Sequence, residues 1–222
     1  MMSKTALKAD ETDNTERAGN SEKAERSDTR RRGDTLTESI YQAVEDIIKA
    51  EGYTNLTFQK IAQAAQTSRT VLYRRWETPL ELIHDIIVEK SLHALGGELI
   101  DMIEDTGSLR GDLLHMLTLY QRYYIEVGPE IMNAMLFEMS QNSPTMVAIG
   151  QNAVKKNILA MRKVLDFARM RGEKVKNVSE FALRLPFDLI RMQYLLHRIA
   201  IDARQLELLV DEILLPVFEE SA

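Results

Sequence analysis

The sequence predicts an all-α protein, and three features support this fold class. From Thr35 to the end of the chain, apolar residues recur every three or four positions, as they do along one face of a helix. No useful length of chain alternates apolar and polar residues, the pattern of a half-buried strand. Glycine and proline stand at the breaks between the periodic stretches, where helices end or begin. We therefore expect helices throughout and essentially no strand.

The first helices are predicted from their capping residues. Thr35 and Glu38 have the spacing of a capping box, so we expect the first helix to begin there and to end at Gly52. Thr57 is expected to cap a second helix. Only residues 66–68 separate that helix from a third, which makes the connection a tight turn.

A fourth helix is expected to open at Thr78, with Pro79 in its first position and Glu81 completing a capping box. Beyond Gly96, the breaks divide the chain into further helical segments. We place these at 109–127, 129–140, 144–171, 177–200 and 203–219. Pro186 should start or kink the helix of the fourth of these segments, because proline interrupts a helix interior.

Residues 1–33 are predicted to be a disordered charged tail, because they contain too few apolar residues to form a core. The tail ends in the triple arginine 30–32, which could lie along a nucleic-acid backbone or in a minor groove. A solvated run of charge is the alternative interpretation. We expect the ordered chain to form two domains, 34–80 and 81–222.

Composition excludes several classes of protein. The chain has no cysteine, so it has neither disulfides nor thiolate metal sites. Its N-terminus lacks an apolar signal-peptide core, and no stretch approaches the length of a membrane span. The chain also lacks a glycine-rich phosphate loop, a nucleophile elbow and closely spaced histidine pairs. We expect a cytoplasmic protein that is not an enzyme, with no cofactor, no catalytic or metal site and no membrane partner.

Charge is distributed unevenly along the chain. Residues 30–75 contain eight basic residues against five acidic ones, whereas residues 76–222 contain fifteen against twenty-two. Such asymmetry favours a polyanionic partner for one end of the molecule. A chance excess of a few charges is the alternative.

The two short helices joined by a tight turn predict a helix-turn-helix, in which the second short helix enters the major groove of DNA. Val71, Leu72 and Trp76 are its apolar positions and are its expected buried anchors. Its outer face should offer hydrogen-bond donors to base edges and phosphates. The expected DNA-binding residues are Thr57, Ser68, Arg69, Thr70, Tyr73, Arg74 and Arg75.

The stretch LTFQKIAQAAQTSRTVLYRRWETPLELI resembles the DNA-binding signature of the tetracycline-repressor family of bacterial transcriptional regulators. The similar positions are Leu56, Thr57, Ile61, Ala62, Ala65, Ser68, Leu72, Tyr73, Trp76 and Leu82. The family usually has glycine where this chain has Gln66, and a phosphate-binding lysine where it has Pro79. Glutamine is strained if the turn requires a positive φ.

The resemblance implies a homodimeric regulator, in most cases a repressor, that binds a palindromic double-stranded DNA operator under the control of a small-molecule effector. It assigns a ligand pocket and a dimer interface to the C-terminal helices. Our pocket candidates for an apolar or amphipathic effector are Met116, Tyr120, Tyr124, Met132, Met135 and Met139, because methionine adapts to varied apolar ligands. Ordinary core packing is the alternative for most of them.

The last two segments carry more apolar residues than one packing face requires, which favours a two-fold helical bundle with a second copy. The interface candidates are Phe187, Ile190, Tyr194, Leu195, Leu209 and Ile213. An alternative function remains open at this point: a helical interaction protein that has lost operator binding, since Gln66 and Pro79 depart from the DNA-binding pattern.

Overall fold

The computed structural model describes residues 34–141 and 144–220, so the expectations for the tail 1–33 and for the arginines within it lie outside the described residues. The helices are α1 (34–51), α2 (Phe58–Ala64), α3 (Arg69–Arg75), α4 (Pro79–Leu95), α5 (Leu99–Met102), α6 (Leu109–Val127), α7 (Pro129–Ser140), α8 (Pro144–Met170), α9 (Glu180–His197), α10 (Ala203–Leu209) and α11 (Leu215–Phe218). A 3₁₀ turn, Tyr53–Asn55, precedes α2, and a π-helical stretch, Val210–Leu214, joins α10 to α11.

The all-α prediction is confirmed. In the described ranges the only β pairing is a single antiparallel bridge between Val175 and Glu219. The same residues include no helix that is long and apolar enough to cross a membrane.

Several predicted boundaries need correction. Residue 34 is already helical, so Thr35 lies inside α1 and is not its cap. Pro186 lies within α9 and does not start it, because α9 begins at Glu180 after a cap in which the Ser179 side chain accepts a hydrogen bond from the Ala182 amide. The sequence analysis also missed α5 and the π-helical stretch.

The chain forms two compact units that divide between Leu72 and Tyr73, inside α3. In the first unit, α1 buries the apolar stripe expected from its periodicity, including Ile40 and Val44. Phe58 and Ile61 are the main buried side chains of α2. The domain limits 34–80 and 81–222 remain a prediction.

The second unit is organised around α6, which packs against α4, α7, α8 and α9. Along α6, Leu113, Met116 and Leu117 are fully buried, as the three- and four-residue spacing of an inward face requires. The chain closes with α10, the π-helical stretch and α11, which bury Val210 and Phe218. The effector and dimer candidates all belong to this unit.

A buried ionic cluster joins the start of α6 to the end of α8. Asp112 is fully buried, and its Oδ2 lies 2.7 Å from Nη2 of Arg171. The other oxygen of Asp112 accepts hydrogen bonds of 2.7 Å from the amide and hydroxyl of Thr106. Arg171 also pairs with Asp105 and with Glu173, whose Oε2 accepts from the Leu109 amide. Every oxygen of the buried carboxylate is therefore hydrogen-bonded.

Candidate nucleic-acid interface and ligand core

The supporting helix α2 is capped as predicted. The Thr57 hydroxyl oxygen accepts a hydrogen bond of 3.3 Å from the Lys60 amide, and Lys60 itself pairs with Glu51. At the start of α3, the Ser68 hydroxyl oxygen accepts from the Val71 amide at 3.3 Å. A hydroxyl that accepts through its oxygen still has its proton to donate, so Thr57 and Ser68 can each donate to a phosphate.

The turn between α2 and α3 contains one residue in the left-handed backbone conformation, and this residue is not a glycine. Gln66 has φ 52°, and the Thr67 amide donates to the Ala62 carbonyl at 2.9 Å, while the Gln66 amide donates to the Gln63 carbonyl. These two bonds form a Schellman motif, which normally places glycine at this position. A side chain in the left-handed region costs about 1 kcal/mol. The strain expected from the sequence is therefore present, and the tight turn is retained.

The recognition helix α3 presents a polar face and a buried face. Arg69, Thr70 and Arg74 are exposed, and Tyr73 is 60% exposed. Leu72 is fully buried, whereas Val71, which was also expected to be a buried anchor, is part-exposed, so the prediction for Val71 is wrong. The face expected to meet DNA is therefore open to solvent.

Trp76 anchors the C-terminal end of α3 to α4. Its side chain is only 5% exposed, and its indole Nε1 donates a 3.0 Å hydrogen bond to Oδ2 of Asp85. The Arg75 guanidinium carbon lies 4.4 Å from the centre of the indole, in the geometry of a cation–π contact. Arg75, expected to bind DNA, therefore also covers the anchor of its own helix.

The start of α4 is closed by its own side chains. Thr78 caps the helix by accepting from the Glu81 amide at 3.2 Å, and Pro79 occupies the first turn as predicted. The Glu81 carboxylate accepts from the Glu77 amide at 2.8 Å. Two carboxylates thus stand near the position where the family pattern has a phosphate-binding lysine. Pro79 itself carries no cation at this position.

The ligand-pocket candidates lie mainly in the core between α6 and α7. Met116, Tyr120, Tyr124, Met132 and Met135 are all buried. Met139 is instead exposed, so it does not belong to this core, and its methyl group lies close to Gly150 of α8. The rings of Tyr120 and Tyr124 meet edge to face, with centroids 5.1 Å apart.

A polar cluster in this core was missed by the sequence analysis. Arg191 of α9 donates from Nε to the Tyr124 hydroxyl at 3.0 Å and from Nη2 to the Tyr120 hydroxyl at 3.1 Å. Asn157, a buried residue of α8, donates to the Tyr120 hydroxyl at 3.4 Å. Burial raises the pKa of Tyr124 well above its ordinary value, so this phenol keeps its proton at neutral pH. The available signal was spacing, because Arg191 lies four residues after Phe187 on the inward face of α9.

Three of the dimer candidates are not surface residues. Phe187, Ile190 and Tyr194 are buried in the chain's own core, so they cannot meet a partner. Leu195 and Leu209 are part-exposed, and Ile213 is exposed. Periodicity identified an apolar face but did not distinguish the face that packs inward from the one left outside. The exposed apolar residues of these elements include Met192, Leu196, Ile199 and Leu208.

Comparison with known proteins agrees with this architecture. Residues 103–213 match the family model described as "Tetracyclin repressor-like, C-terminal domain". An HTH-type transcriptional regulator of Mycobacterium tuberculosis is 28% identical over 182 residues, covering 79% of this chain and 84% of the relative. The DNA-binding transcriptional repressor TetR of Mycobacteroides abscessus is 25% identical, covering 85% of this chain and 97% of the relative.

Among solved structures, the SmeT–triclosan complex superposes with a TM-score of 0.60 at 18% identity, covering 84% of this chain and 93% of that one. The structure shares its fold with this chain. The family match covers half of the sequence and confirms both the resemblance and the expectation that the chain is not an enzyme. The chain belongs to the tetracycline-repressor family of DNA-binding transcriptional regulators.

Proposed function

We propose that the protein is a repressor that binds a palindromic operator as a homodimer and is controlled by a small amphipathic effector. The observation that carries DNA binding is α3, which exposes Arg69, Thr70, Tyr73 and Arg74 on one side and buries Leu72 on the other. The Mycobacteroides relative, named as a repressor, supports repression over activation. The proposal implies that the chain acts in the cytoplasm, where a bacterial operator is found.

The proposed contacts divide by chemistry. Arg69 is proposed to reach base edges, since the N-terminal residues of a recognition helix face the floor of the major groove, and Tyr73 lies four residues later on the same side of α3. The hydroxyls of Thr57 and Ser68 serve the phosphates, as does Arg74. The acidic balance of residues 76–222 disfavours any other orientation on DNA.

We expect Arg69→Ala and Arg74→Ala to weaken operator binding while the fold is retained, because both side chains are exposed. An arginine that reads a guanine contributes about 1–3 kcal/mol to specific binding, and its loss relaxes sequence preference. An arginine on a phosphate weakens binding to all sequences and lowers the salt dependence. Fluorescence anisotropy with the DNA upstream of the gene, measured across a salt series, distinguishes an arginine that reads a base from one that contacts a phosphate.

Arg162→Ala is the matched control, because Arg162 is exposed on α8 outside the proposed interface. It should bind DNA like the wild type. If the double variant Arg69→Ala, Arg74→Ala binds the operator DNA as tightly as the wild type, the proposal that α3 contacts the operator is wrong. Failure of the wild type to bind any upstream DNA would favour the helical interaction protein instead.

The proposed dimer uses the exposed apolar residues of α9, of the segment that follows it and of α10. Leu196 and Ile199 are more than two-thirds exposed, at 68% and 69%, and Met192 precedes Leu196 by one turn. A second copy would cover these side chains around a two-fold axis. Two recognition helices related by that axis would meet the two halves of a palindrome.

We expect Leu196→Glu to convert the dimer into a monomer, because a charge would be buried without a partner at the interface. Sedimentation velocity at micromolar concentration measures the change. Leu159→Glu is the control, since Leu159 is 50% exposed on α8 and should leave the dimer intact. A monomeric wild type would contradict the proposal.

The effector is proposed to enter the core between α6, α7, α8 and α9. Buried methionines and tyrosines would supply an adaptable apolar lining there, and the SmeT structure, a neighbour in fold, is a complex with triclosan. Ligand binding to the folded state should raise the melting temperature by mass action.

A further inference from the structure

We propose that the effector carries a carboxylate, and that Arg191 with the hydroxyls of Tyr120 and Tyr124 holds this group inside the helical core. The inference rests on the proposed effector control and specifies the chemical class of the effector. It depends on the hydrogen-bond donors, the charge and the surroundings of Arg191.

The cluster contains more donors than acceptors. The two phenol oxygens lie 3.3 Å apart and accept from Arg191 at 3.0 and 3.1 Å, while Asn157 donates to Tyr120. One phenol can donate to the other, and among the described residues the second phenolic proton then reaches only the Asn157 amide, at 3.4 Å, the long end of the hydrogen-bond range. A weakly paired buried donor is unfavourable, so the cluster is suited to receive an oxygen from outside the chain.

The charge of the cluster also favours an anion. Asp188 lies 2.8 Å from Arg191 and 3.5 Å from Arg184, so two guanidinium groups share one carboxylate. Within the described part of the chain, Nε of Arg184 is buried and has no hydrogen-bond partner. Arg184, Asp188 and Arg191 are spaced four and three residues apart, which places them on one face of α9.

The surroundings define the rest of the ligand. Phe187 is fully buried and its ring meets that of Tyr120 at 4.9 Å, edge to face. Aromatic side chains of this kind can contact the hydrocarbon or aromatic body of a bound molecule. The side chains of Arg184 and Asp188 are part-exposed, so the polar row leads from the surface of α9 to the buried phenols. A monoanion with an apolar body matches the single excess positive charge.

The test uses straight-chain alkanoates and naphthoates, each paired with its methyl ester and its alcohol, as probes of the full-length protein. Thermal melting and isothermal titration calorimetry measure binding. We expect members of the carboxylate series to raise the melting temperature and to bind about ten- to a hundredfold more tightly than their esters, as charged hydrogen bonds imply. Triclosan serves as a probe without a carboxylate.

Tyr124→Phe should weaken carboxylate binding about tenfold and leave ester binding unchanged, because it removes one hydroxyl and keeps the ring. Tyr123→Phe is the matched control on the same helix, since its hydroxyl approaches only the sulfur of Met132, at 3.9 Å. Arg191→Met should abolish the preference for the carboxylate over the ester.

Equal binding of carboxylates and esters, or full carboxylate affinity in Tyr124→Phe, overturns the inference. If triclosan or the esters bind and the carboxylates do not, the inference is overturned, but the proposed control by an effector is retained. If no probe binds, although the protein still binds its operator, the inference fails and effector control loses its support, whereas the DNA-binding part of the proposal stands.

Discussion

Replacing Trp76 with alanine should reduce the free energy of unfolding of the second unit by about 3–5 kcal/mol, as expected for deletion of a large buried aromatic side chain. The ring is 5% exposed, and Arg75 stacks on it. Its loss would also leave Asp85 without the indole proton at 3.0 Å. Operator binding should fall with stability, because the C-terminal end of α3 is then no longer held to α4. Chemical denaturation followed by circular dichroism, with anisotropy on the same samples, measures both effects.

Trp76→Phe separates packing from hydrogen bonding. It keeps an aromatic ring but removes the indole donor, so it should destabilise the unit by about 0.5–1.5 kcal/mol, the net contribution of a typical intramolecular hydrogen bond. If Trp76→Ala and the wild type unfold at the same denaturant concentration, the indole is not an anchor. Wild-type operator affinity in a stably folded Trp76→Ala protein would exclude its role in positioning α3.

Arg171→Met should destabilise the second unit by about 3–5 kcal/mol, because it leaves the carboxylate of Asp112 buried without its cation. Asp112 is fully buried, and Arg171 Nη2 lies 2.7 Å from it. The remaining bonds from Thr106 satisfy one oxygen but carry no compensating charge. Thermal and denaturant unfolding provide the measurement.

Arg169→Met is the control, two residues earlier on α8. Its ion pair with Asp166 is exposed, so its loss should change stability by less than about 1 kcal/mol. Adding Asp112→Leu to Arg171→Met should recover part of the loss, since the uncompensated charge is then removed as well. If Arg169→Met and Arg171→Met reduce the free energy of unfolding equally, the burial of Asp112 does not make its ion pair more important than an exposed one.

The fold could be predicted because its signals are local. Capping residues such as Thr57 and Thr78 and breaks such as Gly128 mark helix ends, and α6 and α7 have the predicted bounds. The burial of Leu72 and Trp76 followed from their four-residue spacing in the same way. The sequence also raised the condition for strain at Gln66, a positive φ in the turn, and the φ of 52° meets that condition.

The tertiary contacts could not be predicted in the same way. Arg191 looks like a surface cation in the sequence, and only the approach of α6 and α8 gives it two phenols and a neighbouring amide. Phe187 and Leu196 both belong to apolar patterns on α9, yet the first is fully buried and the second is exposed. Which face turns inward depends on the positions of other helices, which a pattern along one helix does not contain.

The π-helical stretch Val210–Leu214 has a consequence for comparing this chain with its relatives. A π turn accommodates an extra residue relative to an α-helical turn, so this segment can be interpreted as a one-residue insertion that the helix absorbs without a loop. A relative with an uninterrupted α-helix here should align only with a single-residue gap. The family match ends at residue 213, inside this stretch. Residues beyond it, such as Phe218, should therefore be matched by their burial rather than by counting positions from α10.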